Sequence, residues 1–123
     1  MPILTELVRL VHDGRGALIK AWPRPVHGEV YVVELVPGAP RGNHYHVRGG
    51  EWFVPLSGAV WLTVADPETG SRERIRLEVG VRARVEAGQA HVLAAAGGPA
   101  LVAAIADFEY NDEQTVPYTV EQA

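Results

Sequence analysis

The sequence predicts an all-β fold, a sandwich or barrel made of many short strands. Turn signals rich in glycine and proline divide the chain into segments of about eight to twelve residues. Between these turns the segments are apolar and β-branched, or they alternate between apolar and polar residues, as strands do. No segment shows the sustained apolar period of about 3.6 residues that a long helix would require.

The predicted strands follow the turns in chain order. Residues 3–10 predict a short strand or one helical turn, and a turn at 13–16 leads into a strand over 17–22. A β-branched strand is predicted over 30–36, followed by a loop at 37–42. Further strands are predicted at 51–54, 59–65, 72–77, 82–86, 91–93 and 101–106.

One hairpin has a clear two-sided pattern. Its second strand places Arg72, Arg74 and Arg76 on one face. Ile75 and Leu77 lie on the opposite face, which gives a period of two. The arginines are therefore expected to form a solvated face rather than a binding surface.

Composition limits the classes of protein to consider. The 123 residues suit one domain over 1–123, the net charge of −4 argues against a nucleic-acid partner, and the absence of cysteine excludes disulfides and thiolate metal sites. No apolar run approaches the roughly 20 residues that span a membrane, and the N-terminus does not look like a signal peptide, so a cytoplasmic location is expected. A chain this small gains from pairing, and its apolar segment 3–11 predicts a homodimer through an exchanged or edge-pairing strand.

Three histidines and one glutamate are the candidate metal ligands. His44 and His46 are separated by one residue, so on a strand both imidazoles share a face. Glu51 follows a glycine-containing turn, and His91 opens a later strand. Imidazole and carboxylate ligands suit zinc, iron, manganese, nickel or copper better than calcium or magnesium. The alternative is that these are ordinary polar residues on strands.

The spacing of these residues matches a longer motif. Five residues separate Gly38 from His44, four separate His46 from Glu51, and six separate Glu51 from Gly58. This spacing reproduces the first motif of the cupin superfamily in full.

A second segment matches most of the other cupin motif. Gly80 and Gly88 precede His91, with two residues between Gly88 and His91. Glu86 stands where that motif usually has proline, and Ala95 where it often has asparagine, but neither is a ligand position. The chain therefore resembles the cupins, which implies a double-stranded β-helix, or jelly-roll, barrel with the four candidate ligands inside it.

Three segments resemble cupins that act on nucleotide sugars. They are residues 41–46 (Arg-Gly-Asn-His-Tyr-His), 13–18 (Asp-Gly-Arg-Gly-Ala-Leu) and the tail 106–113. The similar proteins are RmlC-like: the dTDP-sugar 3,4-ketoisomerases, and the C-terminal cupin domains of bifunctional capsular-polysaccharide enzymes. The resemblance implies proton transfer beside the ketone of a nucleotide-linked keto sugar, with His44 and His46 as catalytic residues. In the capsular domains the same cluster binds zinc, which makes zinc the expected metal here, with iron, manganese or nickel as alternatives.

Substrate binding has its own candidate residues. Arg15 and Arg41 could pair with a pyrophosphate, and Tyr110 could stack on a base. Four other aromatic residues are further candidates for stacking: Trp22, Trp52, Trp61 and Tyr31. Two other functions remain open from the sequence, namely a metal-dependent dioxygenase and a non-catalytic small-molecule-binding cupin.

Overall fold

The computed structural model describes residues 3–109 and 114–120 of the chain. The strands, in chain order, are β1 (Leu4–Leu7), β2 (Leu10–Asp13), β3 (Gly16–Ile19), β4 (Val30–Leu35), β5 (Arg41–His46), β6 (Glu51–Ser57), β7 (Ala59–Ala65), β8 (Arg72–Glu78), β9 (Val81–Val85), β10 (Ala90–Ala95), β11 (Ala100–Ala106) and β12 (Thr115–Pro117). Within these residues there is no α-helix, and hence no helix long and apolar enough to span a bilayer.

Ten of these strands form two five-stranded antiparallel sheets. Sheet 1 has the order β1-β9-β6-β11-β4, and sheet 2 has the order β12-β5-β10-β7-β8. The two remaining strands, β2 and β3, form a separate two-stranded ribbon. Strands that are distant in sequence lie side by side in both sheets, as in a jelly roll. The predicted all-β barrel is confirmed.

The core lies between the two sheets. Sheet 1 contributes Leu35 and Phe53, and sheet 2 contributes Leu62, Leu77 and Leu93, all fully or almost fully buried. These positions alternate with outward-facing residues along their strands, as expected for facing sheets. Phe53 of this core lies against His91 of the polar cluster described below, with ring centroids 5.3 Å apart.

The outer face of sheet 1 is also apolar. Trp52 and Val54 of β6 and Ile105 of β11 point away from the core, yet all three are buried. Ile19, the last residue of the ribbon, and Trp22, which follows it, pack against them. Because β6 and β11 are covered on both faces, they read in the sequence as continuous apolar runs rather than as alternating ones.

The hairpin of β7 and β8 matches its predicted pattern. Arg72, Arg74 and Arg76 are exposed, whereas Leu77 is buried and Ile75 is half-buried. The guanidinium of Arg74 lies 3.9 Å from the ring centroid of Trp61 on the same outer face. This arrangement fits a solvated arginine face stacked on its own sheet.

The N-terminal segment differs from the prediction of one strand or a helical turn. β1 ends at Leu7 and β2 begins at Leu10, with Val8 buried between them. The amide of Val8 donates to the carbonyl of Gly80, which holds the chain against sheet 1 at this break. The segment therefore divides between the edge of sheet 1 and the ribbon.

Candidate functional site

A cavity of about 420 Å³ opens into the barrel interior between the two sheets. It is bordered by β4 and β6 of sheet 1 and by β5 and β10 of sheet 2. Its lining residues are Glu29, Tyr31, Val33, Arg41, Gly42, His44, Phe53, His91 and Leu93. The lining combines apolar side chains with a few polar groups, as small-molecule sites usually do.

Three strands, two in sheet 2 and one in sheet 1, bring the candidate ligands together beside this cavity. His44 and His46 lie two residues apart on β5, so both imidazoles point into the barrel. His91 on β10 is the register partner of His44, directly opposite it in the ladder. Glu51 is the first residue of β6 in the facing sheet, and its side chain projects toward the same place.

The four side chains converge. The ligand atoms of His44, His46 and His91 lie within 4.8 Å of one another. Oε1 of Glu51 is 3.1 Å from Nε2 of His46 and 3.4 Å from Nε2 of His91. His46, His91 and Glu51 are buried, whereas His44 is half-buried and faces the cavity.

The surroundings of His44 and His91 favour the neutral forms of these two imidazoles. Burial lowers the pKa of His91 to about 4. Burial, together with the nearby His46, also lowers the pKa of His44 below its ordinary value. At neutral pH both rings therefore have a lone pair available to hold a metal or accept a proton.

Glu51 is ionised despite its burial. Burial by itself would raise the pKa of Glu51, because it removes water from the carboxylate. The hydrogen bonds from His46 and Tyr31, with the electrostatic interaction with the adjacent His91 ring, outweigh burial and lower that pKa. The cluster thus presents one buried carboxylate among imidazoles.

Two further residues orient the cluster by hydrogen bonds. The hydroxyl of Tyr31 donates to Oε2 of Glu51 at 2.6 Å, and Oγ1 of Thr115 lies 3.2 Å from Nδ1 of His46. Tyr31 was a candidate only for base stacking, and Thr115 was not singled out at all. Each is far in sequence from its partner, so no local pattern indicates either contact.

A β-bulge shapes the rim of the cavity. His44 pairs with His91, but the next residue of β10, Val92, pairs with Gly42, which leaves Asn43 as an extra residue in β5. Gly42 has φ of +120°, and a Cβ there would lie 2.6 Å from the carbonyl oxygen of His91. Glycine is therefore required where β5 comes this close to β10. Beyond the bulge, Arg41 lines the cavity, and its role in substrate binding stays a prediction.

Of the other two predicted substrate residues, Arg15 does not line this cavity. Arg15 lies in the turn of the ribbon, where its largely exposed side chain pairs with Asp13 at 2.7 Å. The structure does not bring Arg15 to the cavity lining, so its role in substrate binding stays a prediction. Tyr110 lies outside the described residues.

The tryptophans are structural rather than cavity-lining. Trp22 and Trp52 pack against each other on the outer face of sheet 1, with ring centroids 5.6 Å apart. Trp61 packs under Arg74 on the outer face of sheet 2. Of the aromatic residues considered for stacking, Tyr31 is the one that lines the cavity in the described part of the chain.

The donor set fits a divalent transition metal. The ligand atoms of the three imidazoles lie within 4.8 Å of one another, and Oε1 of Glu51 is 3.1 and 3.4 Å from two of them, distances compatible with neighbouring ligands of one ion. Glu51 has one oxygen already bound by Tyr31, which leaves the other to face the centre. His44, His46, Glu51 and His91 are the residues that would hold such an ion.

Solved structures of known proteins share this barrel. A dTDP sugar isomerase from Desulfovibrio desulfuricans G20 is 19% identical, with 98% of this chain and 83% of that chain covered and a TM-score of 0.83. A 3,4-ketoisomerase from Helicobacter canadensis is 19% identical, with 94% and 90% covered and a TM-score of 0.79. A 3'-monoepimerase from Streptomyces bikiniensis, in complex with dTDP-quinovose, is 19% identical, with 92% and 67% covered and a TM-score of 0.80. At these identities the likeness establishes the fold.

The sequence also matches a family model. None of the curated proteins compared with it matches the sequence. The model of the polysaccharide biosynthesis C-terminal domain matches residues 11–116, which include both histidine segments and nearly all of the barrel. The chain therefore belongs to the polysaccharide biosynthesis C-terminal domain family, with an RmlC-like cupin fold.

Proposed function

We propose that this protein is an isomerase or epimerase that moves a proton beside the ketone of a nucleotide-linked keto sugar. The observation that carries the proposal is the position of His44. Its half-buried imidazole faces a cavity of about 420 Å³, with Arg41 on the same lining and the buried Glu51 cluster behind. The family match and the likeness to dTDP-sugar isomerases and epimerases support the same substrate class.

In this proposal His44 is the base. A hydrogen on the carbon next to a ketone is acidic, because its removal leaves electrons that move onto the carbonyl oxygen. Neutral His44 takes that proton, and the two carbons with their oxygens become an enediolate. Protonation of the same carbon on its opposite face, by water on that side, gives an epimer, and the imidazolium releases its proton to solvent. Return of the proton from the imidazolium to the former carbonyl carbon, with a proton passing between the two oxygens, gives the isomeric ketone.

His46 has a different role from His44. It is buried, does not line the cavity, and contacts Glu51 on one side and Thr115 on the other. The sequence led us to expect that both histidines act directly on substrate. In this proposal only His44 does so, and His46 binds the metal. A divalent metal held by His46, Glu51 and His91 would polarise the ketone and favour the enediolate, with His44 left unligated so that its lone pair can take the proton.

The remaining lining residues suit a nucleotide sugar. Arg41 is a cation at the rim, where it can pair with a diphosphate outside the barrel. Val33, Phe53 and Leu93 give the interior an apolar wall, against which a sugar ring can pack. Polar groups beyond the metal ligands line this cavity, which counts against a purely apolar binding module.

Deuterium wash-in tests the proposal. The zinc-loaded protein is incubated in D₂O with 4-keto nucleotide sugars, and deuterium at the carbon beside the ketone is measured by mass spectrometry and NMR. Exchange that disappears in His44→Asn supports the proposal. No exchange with any such sugar, together with no binding of nucleoside diphosphates, rejects it. Oxygen uptake by the iron-loaded protein would instead support the dioxygenase alternative.

A further inference from the structure

Arg41 and His44 line the same cavity although they are three residues apart on one strand. In a regular strand, residues three apart point to opposite faces of the sheet. Arg41 would then face solvent on the outside of sheet 2. The extra residue in β5 reverses this, because Arg41 pairs with the inward-facing Leu93 instead. The bulge therefore determines whether Arg41 reaches the cavity.

Asn43 is the residue that forms the bulge. Its φ is +58°, which makes it the one non-glycine residue with positive φ in the described part of the chain. Asparagine, aspartate and glycine tolerate this left-handed conformation best, and other side chains are strained in it. The choice of residue at position 43 thus affects the register of β5 against β10.

A segment near the C-terminus, residues 118–120, braces this bulge from outside. The carbonyl of Asn43 accepts the amide of Tyr118 at 2.8 Å, and its side-chain Oδ1 accepts the amide of Val120 at 2.8 Å. Val120 is itself buried against Val92, the register partner at the bulge. Both backbone and side chain of Asn43 are therefore fixed by residues about 75 positions away along the chain.

We propose that Asn43 is a positioning residue that sets the affinity for the nucleoside diphosphate by holding Arg41 at the cavity. Through its left-handed backbone and its bond to Val120, Asn43 keeps the extra residue in β5, and the extra residue keeps Arg41 on the inner face. The inference rests on the proposed function, since it assumes that Arg41 pairs with a diphosphate. It adds a determinant of binding that does not touch the substrate.

A double-mutant cycle tests this role, with dTDP as the probe and calorimetric Kd as the readout. Arg41→Ala removes the cation and is expected to raise Kd about 10- to 100-fold, as losing a charge-assisted pair does. Asn43→Gly keeps the backbone free to form the bulge but removes the bond to Val120, and is expected to raise Kd about 3- to 10-fold. When Asn43→Gly is added to Arg41→Ala, the Kd should rise further by less than about twofold, because Asn43 acts through Arg41.

Three further measurements separate positioning from general loosening. Asn43→Asp keeps an acceptor and tolerates positive φ, so its Kd should lie near that of the wild type. Arg72→Gln removes a 3.2 Å bond to the carbonyl of Val120 without touching the bulge, and should leave Kd unchanged. With a nucleotide sugar that the protein converts to product, Asn43→Gly should raise KM and leave kcat nearly constant.

Each result has one meaning for the proposal. The positioning role is overturned if the effects of the Asn43 and Arg41 changes on Kd are fully additive, or if Asn43→Gly leaves Kd unchanged. In either case, dTDP binding by the wild type still supports the proposed function. No dTDP binding by a folded, zinc-loaded wild type rejects the diphosphate role of Arg41, and the positioning role falls with it.

Discussion

The hydroxyl of Tyr31 donates a 2.6 Å hydrogen bond to Oε2 of the buried Glu51. Oε1 of the same carboxylate faces Nε2 of His46 and of His91. Tyr31 thus fixes Oε2 of Glu51 by a hydrogen bond, and Oε1 remains available to bind an ion. Such outer partners fix the orientation of a ligand and raise its affinity.

Tyr31→Phe is therefore expected to weaken metal binding. Zinc affinity should fall about 10- to 100-fold, because Oε2 of Glu51 loses its hydrogen bond and the carboxylate is no longer held in the orientation that binds the ion. Competition with a chromophoric chelator measures this affinity directly. Tyr45→Phe is the matched control, because Tyr45 is on the outer side of β5 among residues of a separate cluster. An equal zinc affinity in Tyr31→Phe and wild type would contradict the role.

His44 and His46 should respond differently to replacement by asparagine. In His44→Asn the rate of deuterium exchange should fall about 10²- to 10⁴-fold, as expected when a general base is lost. The rate per bound zinc should fall as well, because the cavity-facing base is missing. In His46→Asn the rate should instead follow zinc occupancy, since this buried imidazole holds the ion.

Both variants are compared by exchange rate, zinc content and dTDP affinity on the same preparation. The affinity for dTDP should change little in either variant, because the diphosphate contact at the rim is retained. If the rate per bound zinc were normal in His44→Asn, His44 would be only a ligand. If it fell in His46→Asn, the division of roles between the two histidines would be wrong.

The short-range features of the site were predictable from the sequence. His44 and His46 share a face because strands have a period of two, and the spacing to Glu51 and His91 is a local motif within each segment. The two sheets follow similarly from strand length and turn spacing. Each of these features depends on residues that are close together in the sequence, so it can be predicted without knowing the fold.

The long-range contacts of the site were not predictable. Tyr31 and Glu51 are 20 residues apart, and Thr115 and His46 are 69 apart, so only the completed barrel brings each pair together. β12 was missed because a three-residue strand that ends in proline has almost no pattern of its own. The dipeptide Gly42-Asn43 was a usable signal for the bulge, since both residues favour positive φ.

The buried imidazole of His91 predicts acid sensitivity of the metal-free protein. Its pKa is about 4 when folded, against 6.5 for an ordinary histidine, because burial disfavours the charged ring. Between these values the unfolded chain binds a proton that the folded protein does not, so stability falls as pH falls from 6.5 toward 4. The loss of unfolding free energy from this group is at most about 3 kcal/mol.

Urea unfolding of the chelator-treated protein at several pH values measures this effect. His91→Gln should flatten the pH dependence across this window. His12→Gln is the control, because His12 lies exposed on the ribbon and its removal should leave the dependence as in the wild type. Equal pH profiles for His91→Gln and wild type would assign the acid sensitivity to other groups.

The exposed apolar residues of the N-terminal region predict a homodimer. Leu7 is 84% exposed, and the paired residues Val11 and Leu18 of the ribbon are about half exposed. Apolar side chains clustered in this way on a small protein indicate a surface that is covered in solution. Sedimentation at micromolar concentration should therefore give a dimer.

Two charges on the ribbon should separate that dimer. Val11→Glu with Leu18→Glu places carboxylates side by side on the exposed ribbon face, where burying them against a second copy costs several kcal/mol. The double variant should sediment as a monomer with an unchanged circular dichroism spectrum, because neither residue belongs to the core in this chain. Thr69→Glu, in the exposed turn between β7 and β8, adds a charge on sheet 2 and should leave the dimer intact. A monomeric wild type, or a double variant that still dimerises, would show that the ribbon is not the contact surface.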